Sequence, residues 1–422
     1  MKKKFILFLS TILLLSSCSN KLDLYPYVAI SPEEITPDDL PALRIGMYND
    51  MQNDPTTRGF IMFDILGGNI SGSSGNPLDI INSTLSPLNS YISGSWNGYY
   101  SALYQVNNII SITEGLPESE LRNRTLGEAH YFRAYIYYNL VTRWGDVPIL
   151  RENTLDKPSR NPVTEVWSFV EEDLATSSTL LDQAKNYYYV SKDAVIALQA
   201  RVMLSQNKMT AAATFAESLI TSGKYRLDAF EKIFRKLNNT EVIFAFENLS
   251  EESGINISDL FYTYAHPNKG QGVYKPTRAM VDLFAANDKR RDISITNIAG
   301  TECINKYPSG QTGRDPVIVS RIAEMYLISA EAQGRVNGIS RLNELRNYRG
   351  LNDVSVSSDE EYIDAVLLER KKELLGENFM FHDLVRLNKA ISDLGIQKHQ
   401  TLLPIPGKEL QLNTNLVPNP GY

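Results

Sequence analysis

Arg133-Ala134-Tyr135-Ile136-Tyr137-Tyr138-Asn139-Leu140-Val141-Thr142-Arg143-Trp144-Gly145-Asp146-Val147-Pro148 is the stretch on which the fold reading turns. Ala134, Tyr138 and Val141 recur four and three residues apart, the spacing that stacks side chains on one helical face. The helical pattern extends back to about Leu121, and Gly145 and Pro148 end it. Asp146, in the exit turn, can accept hydrogen bonds from backbone donors there. The reading is a long helix over Leu121 to Trp144. Upstream, Trp96, Tyr99, Tyr100, Leu103, Val106, Asn107 and Ile110 repeat the same period, and Leu40 to Met51 reads as a first helix.

Downstream, Lys192 to Ser205 and Met209 to Ser222 form two Ala-bearing segments joined by Gln206-Asn207-Lys208, and Arg321 to Gln333 with Ser340 to Tyr348 repeats the arrangement. Ala197, Ala200 and Ala212 let antiparallel helices approach closely, the logic of tetratricopeptide-like hairpins. The expected fold is mostly α: stacked helical hairpins with a loop-rich insertion carrying short strands. That insertion is placed at residues 237–312, where Glu241 to Phe246 reads as a strand and Gly, Asn and aromatic residues follow. It separates helical regions at 18–236 and 313–422. Residues 54–95, rich in Gly, Asn and Ser and without sustained periodicity, are read as surface loops.

The amino terminus predicts the compartment. Lys2-Lys3-Lys4, an apolar run from Phe5 to Leu15, and Leu15-Ser16-Ser17-Cys18 form a removable secretory signal over residues 1–17, with the apolar run too short to span a bilayer. Cys18 is then the lipidation residue, and several acyl chains there would give stable anchoring. Cys303 is left without a disulfide partner, so burial must hold the fold, and 422 residues with 43% hydrophobic content suffice for a large core. A net charge of -7 and no long basic run argue against nucleic acid.

No motif announces catalysis. His130, His266, His382 and His399 lack metal-ligand spacing, so no metal and no cofactor is expected. There is no Gly-x-Ser-x-Gly elbow, Gly67 to Gly72 lacks the ending of a phosphate loop, and no carboxylate pair stands out for glycoside cleavage. Glu369, Arg370, Glu373, Asp383 and Arg386, charge-rich at helical spacing, read as a solvated or ion-paired face. The reading is a binding protein, not an enzyme.

Several strings together resemble the SusD/RagB family of Bacteroidetes surface lipoproteins. They are Leu22-Asp23-Leu24-Tyr25-Pro26 after Cys18, the helix bearing Asn107-Asn108, the Arg133 to Pro148 stretch, Ala200-Arg201-Val202-Met203-Leu204, Phe284 to Arg291, Arg321 to Leu327 and Leu342 to Arg349. Glu369 to Leu374, Phe381 to Arg386, Leu403-Pro404-Ile405-Pro406 and Asn419-Pro420-Gly421-Tyr422 complete the series. The resemblance implies a lipid-anchored outer-membrane protein that binds an extracellular glycan or oligosaccharide and delivers it to a TonB-dependent transporter. An oligopeptide ligand, or an adaptor binding only protein partners, are the alternatives. The chain is short for the family, and Gly376-Glu377-Asn378-Phe379-Met380 stands where the family carries Glu-Gly-His-Arg before the aromatic; both differences bear on ligand class rather than scaffold.

A glycan site needs aromatic faces for sugar rings and planar polar groups for their hydroxyls. The expected ligand residues are Asp64, Asn69, Tyr91 and Trp96 in the early loops, and Tyr262, Tyr264 and His266 in the insertion. Each has a plainer role open to it: Trp96 as a core anchor, Tyr262 and Tyr264 as one face of a strand, Asp64 and Asn69 as turn caps.

Overall fold

The helix quoted above is the axis of the molecule. In the computed structural model, which describes residues 35–72, 76–82 and 85–422, it spans Glu120–Trp144 (α4). Ser119 caps its start by accepting the Arg122 N–H. From Thr125 to Trp144 every residue is buried, so the helix is enclosed on all sides rather than lying on a surface. Its end is set by Gly145 at φ 74°, a left-handed conformation costly for other residues. The Asp146 carboxylate then accepts the N–H of Val163, 2.9 Å away, which opens the next long helix, Val163–Leu180.

Before α4 come Leu40–Asn53 (α1), Met62–Leu66 (α2) and Ser90–Glu114 (α3). After Val163–Leu180 (α5), the hairpin Lys192–Ser205 (α6) and Met209–Thr221 (α7) packs on Ile322–Tyr348 (α8). The two segments expected within α8 are continuous except at Gly334, whose φ of 69° and ψ of 177° break the helix. Asp359–Glu373 (α9) opens with a capping box between Ser358 and Glu361, and Met380–Arg386 (α10) follows. The fold is thus mostly α with hairpin repeats.

Among the described residues, six short strands form three antiparallel pairs: β1 (Ile70–Gly72) with β3 (Tyr274–Pro276), β2 (Val242–Phe246) with β6 (Val317–Arg321), and β4 (Ile295–Ile298) with β5 (Thr301–Ile304). Every residue of β2 and β6 is buried, so this pair closes the base of the mid-chain excursion like a stem. The C-terminal strings dock on the exit of α4. Trp144 Nε1 donates to the Pro404 carbonyl at 3.1 Å, Leu403 N–H to that of Arg143 at 2.7 Å, and Asn419 Nδ2 to those of Trp144 and Leu403.

One expectation about the fold needs correction. Residues 54–95 are not surface loops throughout: Phe60 to Leu66 are all buried, partly as α2, and α3 begins at Ser90. A run that is apolar but for Asp64 and buried on every side shows no amphipathic period, which is why it looks irregular in sequence. Of the two readings of the charged helix, solvated or ion-paired, the structure shows the ion-paired one. Glu369, Arg370, Glu373 and Asp383 are buried and paired, Arg370 with Asp383, and Arg386 with Glu331 and Asp383.

Residues 40–422 form one compact unit with a continuous core; residues 35–39 belong to a separate amino-terminal unit and carry the short turn Pro37–Asp39. The signal segment, Cys18 and the Leu22 to Pro26 string lie outside the described residues. Among the described residues, no helix is long and apolar enough to cross a membrane.

Candidate functional site

The seven expected ligand residues divide by burial. Asp64, Asn69, Trp96 and Tyr262 are interior, Tyr91 and His266 are half-buried, and Tyr264 is 73% exposed. The interior four are therefore corrected to structural roles. Trp96 lies in the second turn of α3, 5.1 Å from Trp144 in an edge-to-face pair. Tyr262 donates its hydroxyl to Asn305 Oδ1 at 2.6 Å. It follows the helix Ile257–Phe261 rather than lying on a strand, so it turns inward while Tyr264 faces solvent. Asn69 sits just before β1; its carbonyl accepts the Thr277 N–H, and its buried Nδ2 has no protein acceptor.

Asp64 is a clamp between distant segments. Its two carboxylate oxygens accept the N–H groups of Gly376 and Asn378 at 2.8 and 2.7 Å, while Asn378 takes the Phe63 N–H on its Oδ1 and donates to the Gly59 carbonyl. Burial pushes Asp64 up to about 7 against the pull of those two backbone donors. The segment that departs from the family pattern, 376–378, is thus the one that holds α2 in place.

A consequence follows for pH. With a folded value near 7 and an ordinary value of 3.8, the folded chain holds a proton the unfolded chain has lost across that interval. Stability contributed by Asp64 is complete below the lower value and is lost as pH rises through the upper. Compared with Asp64→Asn, the wild type should lose on the order of 1 kcal/mol per pH unit between about 4 and 7 and nothing further above, read by urea unfolding. A constant difference between the two proteins would disprove the assignment.

Tyr91 opens α3, where Asn89 Oδ1 accepts its N–H at 3.0 Å. The Arg58 guanidinium lies 3.9 Å from the centre of its ring. Arg58 Nε also donates to the Tyr274 hydroxyl at 3.1 Å, and burial, opposed by Arg58, raises the Tyr274 hydroxyl above its ordinary value. Tyr274 pairs with Gly72 across β1 and β3. This ladder joins the two regions expected to face ligand, the early segment and the insertion, behind one half-buried tyrosine face pinned by a guanidinium. Arg58 and Tyr274 were not among the expected residues, because 216 positions separate them and no local pattern marks the pair.

Tyr264 and His266 form a second surface feature. His266 stacks on Tyr262 with centroids 3.7 Å apart, its Nδ1 accepts the Asn268 N–H, and burial lowers its pKa, so the ring is neutral. The Lys269 ammonium lies 4.9 Å from the Tyr264 ring centre. Among the described residues, no three His, Cys, Asp or Glu side chains gather as a metal site. Arginine over tyrosine faces can hold a flat apolar ring face and offer donors at its edge; no nucleophile is paired with a base here.

Hairpin repeats closing on a strand-based excursion, with aromatic side chains displayed around it, define a helical-repeat scaffold protein. Residues 22–204 match the profile of a family described as "Starch-binding associating with outer membrane", and residues 301–400 that of the SusD family. The chain belongs to the SusD family. It is 25% identical to SusD-like protein P38 of Formosa agariphila, with 97% of this chain and 96% of that protein aligned, and 26% identical to SusD-like protein P2 of the same organism over the whole of both. A SusD superfamily protein from Bacteroides thetaiotaomicron superposes with a TM-score of 0.81 at 22% identity, covering 92% of this chain and all of that one. Surface glycan-binding protein A from the same species, solved with laminarihexaose, superposes at 0.80 with 20% identity, covering 91% and 100%.

Proposed function

We propose that this protein is a non-catalytic outer-membrane lipoprotein, anchored through Cys18, that captures an extracellular glycan and hands it to a TonB-dependent transporter. The observation that carries the reading is the Tyr91–Arg58–Tyr274 cluster, built where the early region and the insertion meet on a scaffold shared along its length with SusD-like proteins. A pyranose ring would stack on Tyr91 while Arg58 keeps that ring oriented, and Tyr264 with Lys269 would offer a further surface contact. Residues 18–236 and 313–422 form the scaffold in this scheme and 237–312 carry ligand contacts. Tethering beside a barrel raises the effective concentration of a modestly held ligand, so tight binding is not required.

Calorimetric titration with neutral oligosaccharides tests this. Tyr91→Ala should weaken the best ligand by about tenfold, near 1.4 kcal/mol, with a small fall in unfolding midpoint from the lost packing and Arg58 contact that leaves the protein folded at the titration temperature. Peptide binding in place of sugar binding would redirect the reading, and binding of neither would leave an adaptor. Failure of Cys18 to incorporate labelled palmitate in cells would remove the anchor.

A further inference from the structure

A shallow groove, about 90 Å³ in volume and open to solvent, lies between α1, the segment joining α5 to α6, and the chain leaving β2, and shares no lining residue with the Tyr91 cluster. Its aromatic wall is Tyr188 and Tyr189. Tyr189 is held by two groups that also line the groove, the Arg44 guanidinium, 4.5 Å from its ring centre, and Tyr48 at 5.7 Å, edge to face, so Tyr188 is the freer ring. Tyr188 is set by Tyr187, 4.5 Å away, and by its N–H to Asn186 Oδ1. Both rings are half-buried, so each keeps solvent-facing surface without freedom to swing.

The opposite wall is made of amides. Asn248, 4% exposed and at φ 60°, donates its Nδ2 to the carbonyls of Ile255 and Asp315 at 3.2 and 2.6 Å. Those two acceptors determine which end of the amide is nitrogen. Its Oδ1 is therefore an oriented acceptor, and among the described residues it has no partner. A buried acceptor left unpaired costs on the order of 1–3 kcal/mol, and a non-glycine residue held at positive φ adds strain. Gln52 commits its Oε1 to the Asn248 N–H at 2.9 Å, which leaves its Nε2 donors uncommitted.

Charge narrows the occupant. Arg44, the one cation among the lining residues, is engaged through Nε and Nη2 by both oxygens of Glu128 at 2.5 and 2.6 Å. Glu247 and Glu252, both exposed, line the same groove and repel an anion. What remains is the half-buried tyrosine rings, the exposed apolar side chains of Ile45 and Leu249, and the amide of Gln52, which match the CH face and hydroxyls of an uncharged sugar ring.

We propose that this groove is a second saccharide subsite, selective for neutral over acidic glycans and separate from the Tyr91 cluster. The proposal rests on the glycan reading above. The test titrates the detergent-purified protein with laminarihexaose, maltohexaose, cellohexaose and mannohexaose, with a hexauronate and a lysine-bearing hexapeptide as contrasts. In the Tyr91→Ala protein a neutral hexaose should still bind. Adding Tyr188→Ala should then weaken it by about tenfold, as loss of one stacking face predicts. The hexauronate should not compete, and Glu247→Ala, at an exposed position, should leave the neutral hexaose bound while letting the hexauronate compete several-fold better. Residual binding indifferent to Tyr188→Ala, or competition by the hexauronate or the peptide without the Glu247 change, overturns the proposal. If the wild type binds a hexaose and Tyr91→Ala abolishes it entirely, the groove is not a subsite while the glycan reading stands. If no neutral hexaose binds the wild type, both fall.

Discussion

Glu373→Gln should destabilise the protein by about 3–5 kcal/mol, the range for removing one partner of a buried ion pair. The side chain is fully buried on α9 and receives three guanidinium groups: Arg290 at 2.8 Å, Arg321 at 2.6 Å and Arg349 at 2.8 Å. The network extends until Arg290, Arg321, Arg349, Lys306 and Lys372 face Asp288, Glu241, Glu369, Glu373 and Glu377, all buried. Arg346 adds a sixth cation at the edge of the cluster, 2.7 Å from Glu369, so glutamine in place of Glu373 removes one of five carboxylates from a group already in positive excess. Burial alone would raise Glu373, yet Arg349, Arg321 and Arg290 outweigh it and hold the group well below the ordinary carboxylate value. A depressed folded value means that this stability is present above the ordinary value of 4.5 and lost as pH falls below it. The variant should thus show a lower urea midpoint at pH 7 and a shallower loss of stability in acid. A midpoint matching the wild type would mean that the network carries no net stabilisation.

That cluster also shows how far sequence reading reaches. Helical spacing of Glu369, Arg370 and Glu373 identifies a charged helix with paired groups. It does not reveal burial, because the partners Glu241, Arg290, Arg321 and Arg349 arrive from other elements. The long helices were legible for a local reason: their apolar period and their stops at Gly145 and Pro148 lie within a few turns of one another. The Phe60 to Leu66 run was not, since its enclosure depends on Asn378 and Phe381, more than 300 residues away. The candidate site fared similarly. Tyr91 and Tyr264 could be named from residue type, whereas Arg58, Tyr274 and the Tyr188–Tyr189 groove exist only through contacts between remote segments. Residue chemistry proposes which groups suit a sugar; tertiary packing decides which are left at the surface.

Trp144→Ala should cost a comparable amount, about 3–5 kcal/mol, and for a reason that joins both ends of the fold. The indole is fully buried, edge to face with Trp96 at 5.1 Å and with Tyr99 at 6.5 Å, so truncation opens a void beneath α3. It also removes the donor that pins the Pro404 carbonyl. The neighbouring carbonyls, those of Arg143 and Trp144, hold Leu403 and Asn419, and Arg160 reaches Asn419 Oδ1 from the far side at 2.5 Å. Loss of the indole therefore loosens the C-terminal strap as well as the core. Trp144→Phe separates the two effects: it keeps most of the ring packing and leaves one buried acceptor unpaired, for a cost of about 1–3 kcal/mol. Urea unfolding gives the totals, and hydrogen exchange at Leu403 reports the strap, because that amide donates to the Arg143 carbonyl at 2.7 Å. Faster exchange at Leu403 in both variants, with the larger stability loss confined to alanine, is the expected pattern. If exchange at Leu403 is unaltered in Trp144→Ala, the strap is held by its own contacts and the indole supports only the helix packing above it.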